Sequence, residues 1–257
     1  MPHSSTPGNL SDHWHLGDEI KAHQFPSKQR HRASITQIED YLYIGDHASS
    51  VSIPTLMKHG ITAMVSLAHS RSPEWSRPAN RKLIPASQHL FVKCDDSPQQ
   101  DILGKLNEIC DFIDAHTGLP TVDEVLEQIG LTDVDERVGE EVSTPRKVLV
   151  HCSMGVSRSG AVVVAYLMRK YPKKGLKKVL REVRRKRRAV DPSANFMEQL
   201  RVWQEIGYEA WEEGEGGKKV PVEGYRTFLE RRALSQTPRS WTEDEISGLR
   251  QCSSSFF

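Results

Sequence analysis

Residues 148–170 read VLVHCSMGVSRSGAVVVAYLMRK. The stretch falls into three parts. Residues 148–150 are a short apolar run that reads as a buried strand. Residues 151–160 are small, polar and glycine-containing. Residues 161–170 are apolar over too great a length for a strand and end in charge, which predicts a buried helix. Strand, tight loop and helix in that order aim successive backbone N–H groups and a helix N-terminus at one point.

Cys152 opens that loop and Arg158 closes it. Converging N–H groups bind an oxyanion, and the positive end of the helix dipole adds to them. The same field stabilises a thiolate, so Cys152 is predicted to be more acidic than a free cysteine, whose pKa is about 8.5. Arg158 carries a permanent charge on a planar fork that matches two oxygens of a phosphoryl group. Ser153, Met154, Gly155, Val156 and Ser157 supply the rest of the anion-binding loop. Gly155 lets the backbone approach the ligand with no Cβ in the way. Ser159 can donate to the sulfur as it leaves, and His151 can fix the loop through its ring N–H. Together these groups describe covalent catalysis on a phosphate ester through a cysteinyl-phosphate. A general acid for the leaving oxygen must come from elsewhere in the chain. The bland alternative for Cys152 is a buried structural thiol. Zinc is not indicated, because the chain has no Cys-x-x-Cys pair.

The string HCSMGVSRSG resembles the signature loop of the cysteine-dependent protein phosphatases, and within them the dual-specificity branch. The opening of the globular region is similar to that family too. SITQIEDYLYIG reads as two strands around a turn at Glu39 and Asp40, and Ile53, Leu56 and Met57 have helical spacing up to Gly60. ITAMVSL then reads as a buried strand. The family often has Asn after the Leu-Tyr-Ile-Gly strand; here it is Asp46. The resemblance covers roughly residues 33–210. It implies an α/β fold, a central mixed, mostly parallel sheet flanked by helices, with the site at the carboxyl end of the strands.

HLFVKC is the next strand, and residues 101–116 are amphipathic, with Ile102, Leu106, Ile109, Phe112 and Ile113 on one face. Asp95 and Asp96 lie between strand and helix, where the family places its general acid. The family spacing, counted back from Asp101 and Ile102, implies Asp96, with Asp95 the alternative. Either could instead be a turn or N-cap carboxylate. Residues 69–86, with Pro73, Pro78 and Pro85, read as a long surface loop whose Trp75 is an ordinary loop aromatic or a groove wall.

Residues 117–147 depart from the family as an insertion. Between Asp123 and Glu141 it holds eight acidic residues against one arginine, as a solvated surface segment or a docking element. After the loop helix, Leu176, Val179, Leu180 and Val183 form an apolar stripe on an otherwise basic segment. A further helix begins at PSANFMEQL. Ser193 stands where the family has an Asn that braces the loop, which leaves that role to water or a neighbour such as Asn195. The basic run 173–188 reads as a solvated face, a nuclear-import signal, or a surface attracting acidic substrates or headgroups. Nothing accompanying it points to nucleic acid. Residues 1–32 read as a disordered extension, and 211–257 as a Gly/Glu-rich linker with a short helix at 221–234.

The 257 residues are 37% hydrophobic and 27% charged, with net charge +1, which describes a globular protein with extensions. Cys94, Cys110, Cys152 and Cys252 show no disulfide framework, and no apolar run has the length of a membrane span. A reducing compartment, cytoplasm or nucleus, is expected. The leading functional reading is a protein phosphatase acting on phosphotyrosine and phosphoserine or phosphothreonine, with no cofactor or metal. The alternatives are a phosphatase of a phosphoinositide, a glycan phosphate or an RNA 5′ end, and a non-catalytic phosphoprotein-binding module.

Overall fold

The structure is a computed structural model that describes residues 32–117 and 146–236. Expectations placed on residues 1–31, on most of the acidic insertion and on the last residues lie outside the described ones. The chain forms β1 (Ile35–Gln37), β2 (Leu42–Gly45), α1 (His47–Val51), α2 (Ile53–His59), β3 (Ile61–Ala68) and α3 (Pro78–Leu83). It continues through β4 (His89–Lys93), α4 (Leu106–Thr117), β5 (Lys147–His151), α5 (Arg158–Lys170), α6 (Gly175–Lys186) and α7 (Ala194–Glu205). A hairpin of β6 (Trp211–Glu213) and β7 (Lys219–Pro221) leads into α8 (Glu223–Gln236).

Five strands form one sheet in the order β1-β2-β5-β3-β4. β1 runs antiparallel to β2, and the remaining pairs are parallel. The sheet is therefore mixed and mostly parallel, as expected. Its central strands read as unbroken apolar runs because both faces are covered. Alternate residues go to opposite sides. Leu42, Ile44, Ala63, Val65, Leu67, Val148 and Val150 pack in the larger core with α4 to α8. Tyr43, Met64 and Leu149 point the other way, onto Leu56, Trp75 and Ile84.

Helix α5 leaves the central strand and lies against the sheet between α4, α6 and α7. Ten of its residues, 159–168, are buried, which is why its sequence is apolar nearly all round. Each fully buried Val or Leu there contributes about 1.5–3 kcal/mol. The consequence for function is rigidity. The N-terminus of α5, beyond the loop that Cys152 opens, is set by a helix buried along most of its length.

Three expectations need correction. Residues 69–86 are not an irregular loop: a 3-10 turn spans Pro73–Ser76 and α3 follows. Pro73 and Pro78 sit in first turns, where a missing N–H costs nothing, so the prolines start these elements. The segment after Glu212 is no linker. It makes the β6–β7 hairpin, and Pro221 lies in β7, so the helix starts at Glu223. Tyr225 and Phe228 are buried in the main core. Finally, Met57 is 65% exposed, so the face of α2 is carried by Leu56 and Ile53. Gly60 does end that helix, with φ of 67° and its N–H turned back onto Leu56 and Met57 carbonyls.

Candidate active site

Strand β5 ends at His151, so Cys152 emerges at the carboxyl edge of the sheet, with the first turn of α5 beyond the loop. The loop is shaped from behind. His47 N–H donates to the Ser153 carbonyl at 3.1 Å, and Asp191 N–H to the Val156 carbonyl at 3.2 Å. Arg187 donates from Nε to the Gly155 carbonyl at 2.9 Å and from its terminal nitrogen to the Met154 carbonyl at 3.4 Å. With four successive carbonyls held outside, the intervening N–H groups face the other way, toward the sulfur. The Gly155 N–H reaches Cys152 Sγ at 3.3 Å. Gly155 has φ of 68°, and a Cβ there would come within 2.6 Å of the Gly45 carbonyl oxygen. Only glycine fits.

Burial pushes the Cys152 thiol up. The Ser159 hydroxyl at 3.2 Å, the Ser159 and Val156 amides and Arg158 outweigh it, and the net direction is below the ordinary cysteine value. The contrast with Cys94 and Cys110 is direct: burial holds both thiols up at about 12. Arg158 is anchored by one terminal nitrogen, which donates to the Cys94 carbonyl at 3.0 Å and the Leu67 carbonyl at 3.3 Å. Its Nε is buried and has no hydrogen-bond partner among the described residues. A buried guanidinium N–H close to the sulfur is a donor suited to a phosphoryl oxygen.

Of the two acidic candidates, Asp96 is the one tied to the loop: Ser157 Oγ donates to its Oδ1 at 2.9 Å. The Asp95 carboxylate turns instead to His69 Nδ1 at 3.1 Å. Both line a cavity of about 610 Å³ that is also lined by Cys152, Ser153, His151, Arg158, Trp75, Phe91, Arg71 and Arg81. Trp75 is thus both a packed aromatic and a wall of that cavity.

His151 does more than fix the loop. Arg81 donates to His89 Nδ1 at 3.1 Å. Since Arg only donates, the His89 proton sits on Nε2 and is given to Ser66 Oγ at 2.7 Å. Ser66 then donates to His151 Nε2 at 2.6 Å, which leaves the His151 Nδ1–H facing the Cys152 carbonyl at 3.4 Å. Burial pushes His151 down to about 3 and His89 to about 4, so both stay neutral in that arrangement.

The brace expected from Asn195 is not at the loop. Its amide nitrogen donates to the Ser97 and Gln100 carbonyls. Ser193 contributes its backbone N–H to Ser157 Oγ at 3.1 Å, and its own hydroxyl is buried without a partner among the described residues. Asp46 caps α1, accepting from Ser49 N–H at 2.8 Å and Ser34 N–H at 3.1 Å. Arg187 carries the loop. It is only 8% exposed, and Ser34 and Thr36 hydroxyls hold its remaining nitrogen. The sequence contained the signal: the stripe Leu176, Val179, Leu180, Val183 continues at position 187. We expect Arg187→Met to strand two buried carbonyls and cost about 1–3 kcal/mol in urea unfolding.

A central parallel strand feeding an anion loop that holds a low-pKa cysteine, with an arginine opening the next helix, defines the protein tyrosine phosphatase class of fold. The described fold is shared with the phosphatase domain of Yvh1 from Chaetomium thermophilum, at TM-score 0.53, 28% identity, 68% of this chain and 97% of that one. It is shared also with the human tyrosine phosphatase-like serine/threonine/tyrosine-interacting protein, at TM-score 0.51, 25% identity, 68% of this chain and 98% of that one. Residues 123–206 match the family model for the dual specificity phosphatase catalytic domain. Tyrosine-protein phosphatase yvh1 of Schizosaccharomyces pombe is 29% identical over 175 residues, 68% of this chain and 43% of the relative. Dual specificity protein phosphatase MPK-4 of Drosophila melanogaster is 29% identical over 176 residues, 68% of this chain and 37% of the relative. The chain thus spans less than half the length of these two curated relatives. Its likeness is to the dual-specificity phosphatases.

Proposed function

We propose that this chain is a protein phosphatase that hydrolyses phosphotyrosine and phosphoserine or phosphothreonine through a cysteinyl-phosphate. The observation that carries the reading is the sulfur itself, lowered in pKa by Ser159 and the loop N–H groups, beside an Arg158 Nε that has no partner among the described residues. In the first step the Cys152 thiolate attacks phosphorus and the phosphorus–oxygen ester bond breaks. Asp96 gives its proton to the leaving oxygen. The loop N–H groups and Arg158 hold the three remaining oxygens as charge spreads over them. In the second step Asp96, now a base, takes a proton from water. The water oxygen attacks phosphorus, the phosphorus–sulfur bond breaks, and Ser159 donates to the departing thiolate. Inorganic phosphate leaves.

A non-protein phosphate ester is the second reading. The exposed basic residues of α6, such as Lys177, Lys178, Arg181 and Arg185, support it by attracting polyanions. A binding module is the third, and one similar protein is named as an interacting protein. A panel of phosphotyrosine and phosphothreonine peptides against soluble inositol phosphates separates them, with release of inorganic phosphate as the readout. The proposal expects turnover of the peptides to exceed that of the inositol phosphates. The reverse order sinks it in favour of the second reading, and no turnover of any compound favours the third.

A further inference from the structure

Helix α8 lies beyond the residues matched by the family model, which end at 206. Two of its polar side chains nevertheless reach the segment that carries Asp96. Tyr225 Oη donates to Asp101 Oδ2 at 2.6 Å. Arg232 donates from one terminal nitrogen to the Gln100 carbonyl at 3.4 Å and to Asn195 Oδ1 at 3.0 Å.

Gln100 is the hub of that segment. Its carbonyl accepts from Arg232, from Asn195 Nδ2 at 2.8 Å and from Gln199 Nε2 at 2.8 Å. Its side chain runs back along the loop, and Oε1 accepts the Asp95 N–H at 2.8 Å, next to Asp96. Asp101 is shared in the same way. While Oδ2 takes the Tyr225 hydroxyl, Oδ1 accepts the Leu103 N–H at 2.8 Å and turns the chain into the 3-10 turn before α4. Asp96 is exposed, so burial does not hold it in place. Hydrogen bonds do, from Ser157 on one side and through Gln100 on the other.

We propose that α8 is a positioning element for the Asp96 loop, with Tyr225 and Arg232 as the positioning residues. This rests on Asp96 being the general acid. Core packing alone needs neither polar group, since Phe228 and the Tyr225 ring supply the apolar contact. Arg232 lies over the Phe228 ring at 5.1 Å, which directs its guanidinium toward Gln100 and away from solvent. Burial and the Asp101 carboxylate push the Tyr225 phenol upward, so it remains a donor at any assay pH. A proton donor displaced by a fraction of an ångström loses rate in proportion to how much the leaving group needs the proton.

That dependence is the test. The full chain carrying Tyr225→Phe and Arg232→Met is compared with the native protein on aryl phosphates from dinitrophenyl to phenyl phosphate. Asp96→Asn is run beside it. The expected result is little change in kcat/KM with the dinitrophenyl ester and a loss of about tenfold or more with the phenyl ester, a part of the full proton-transfer effect. Asp96→Asn should show the steeper fall. The ratio between two substrates on one preparation cancels any loss of folded protein, so a less stable variant still gives an answer. Arg232→Lys, which keeps a donor, should recover part of the loss. An equal loss on every ester, or none, while Asp96→Asn keeps its steep dependence, overturns the role of α8 and leaves the function intact. A flat profile for Asp96→Asn instead overturns the general-acid reading, and the role of α8 with it.

Discussion

Cys152→Ser should reduce turnover of every phosphate monoester to background, a loss of about 10⁴-fold or more, while phosphopeptide binding survives. The argument is local. Arg187 and His47 shape the loop from behind, and neither touches the sulfur, so the N–H groups stay aimed at the anion. Arg158 keeps its anchors on the Cys94 and Leu67 carbonyls. What disappears is the nucleophile, because a serine hydroxyl beside Ser159 remains protonated where a thiol ionises. Steady-state release of phosphate and calorimetric binding of the same peptide measure the two halves. Retained turnover would mean that another residue attacks phosphorus.

Asp96→Asn should slow release from phosphoserine and phosphothreonine peptides by about 10²–10⁴-fold, with a smaller loss on a nitrophenyl ester. An alkoxide is a far poorer leaving group than a nitrophenolate and needs its proton in the transition state. Asp95→Asn should do much less, since its carboxylate faces His69 and only its backbone N–H serves the loop, through Gln100. If the two substitutions exchange their effects, the acid is Asp95, and the Ser157 contact to Asp96 is structural.

Much of this was legible because residues 148–170 state their own geometry. An apolar triplet, a glycine-containing polar loop and an apolar run of helix length admit few foldings. The alternation inside β2, β3 and β5 was hidden, since strands buried on both faces show no polar side. Residues 73–83 were misread because proline marks the start of a helix as readily as the end of one. Arg187 was lost among the basic residues around it, though its spacing from Val183 put it on the buried side. No local pattern could have joined Ser66, His89 and Arg81 to His151, as the first two meet it only where β3, β4 and β5 lie side by side, and Arg81 reaches His89 from α3. For the same reason Tyr225 and Arg232 read as part of a tail.

The account depends on an anionic sulfur at neutral pH. The rate at which iodoacetate alkylates Cys152 across pH, in the native chain and in Ser159→Ala, tests that most directly. Because the thiolate reacts and its pKa is depressed, the rate should reach its plateau at a lower pH than that of a free cysteine. It should fall only as pH drops through the depressed value. Loss of the Ser159 hydroxyl should move that fall to higher pH. A native rate still climbing through pH 8.5, as for a free cysteine, would contradict the account.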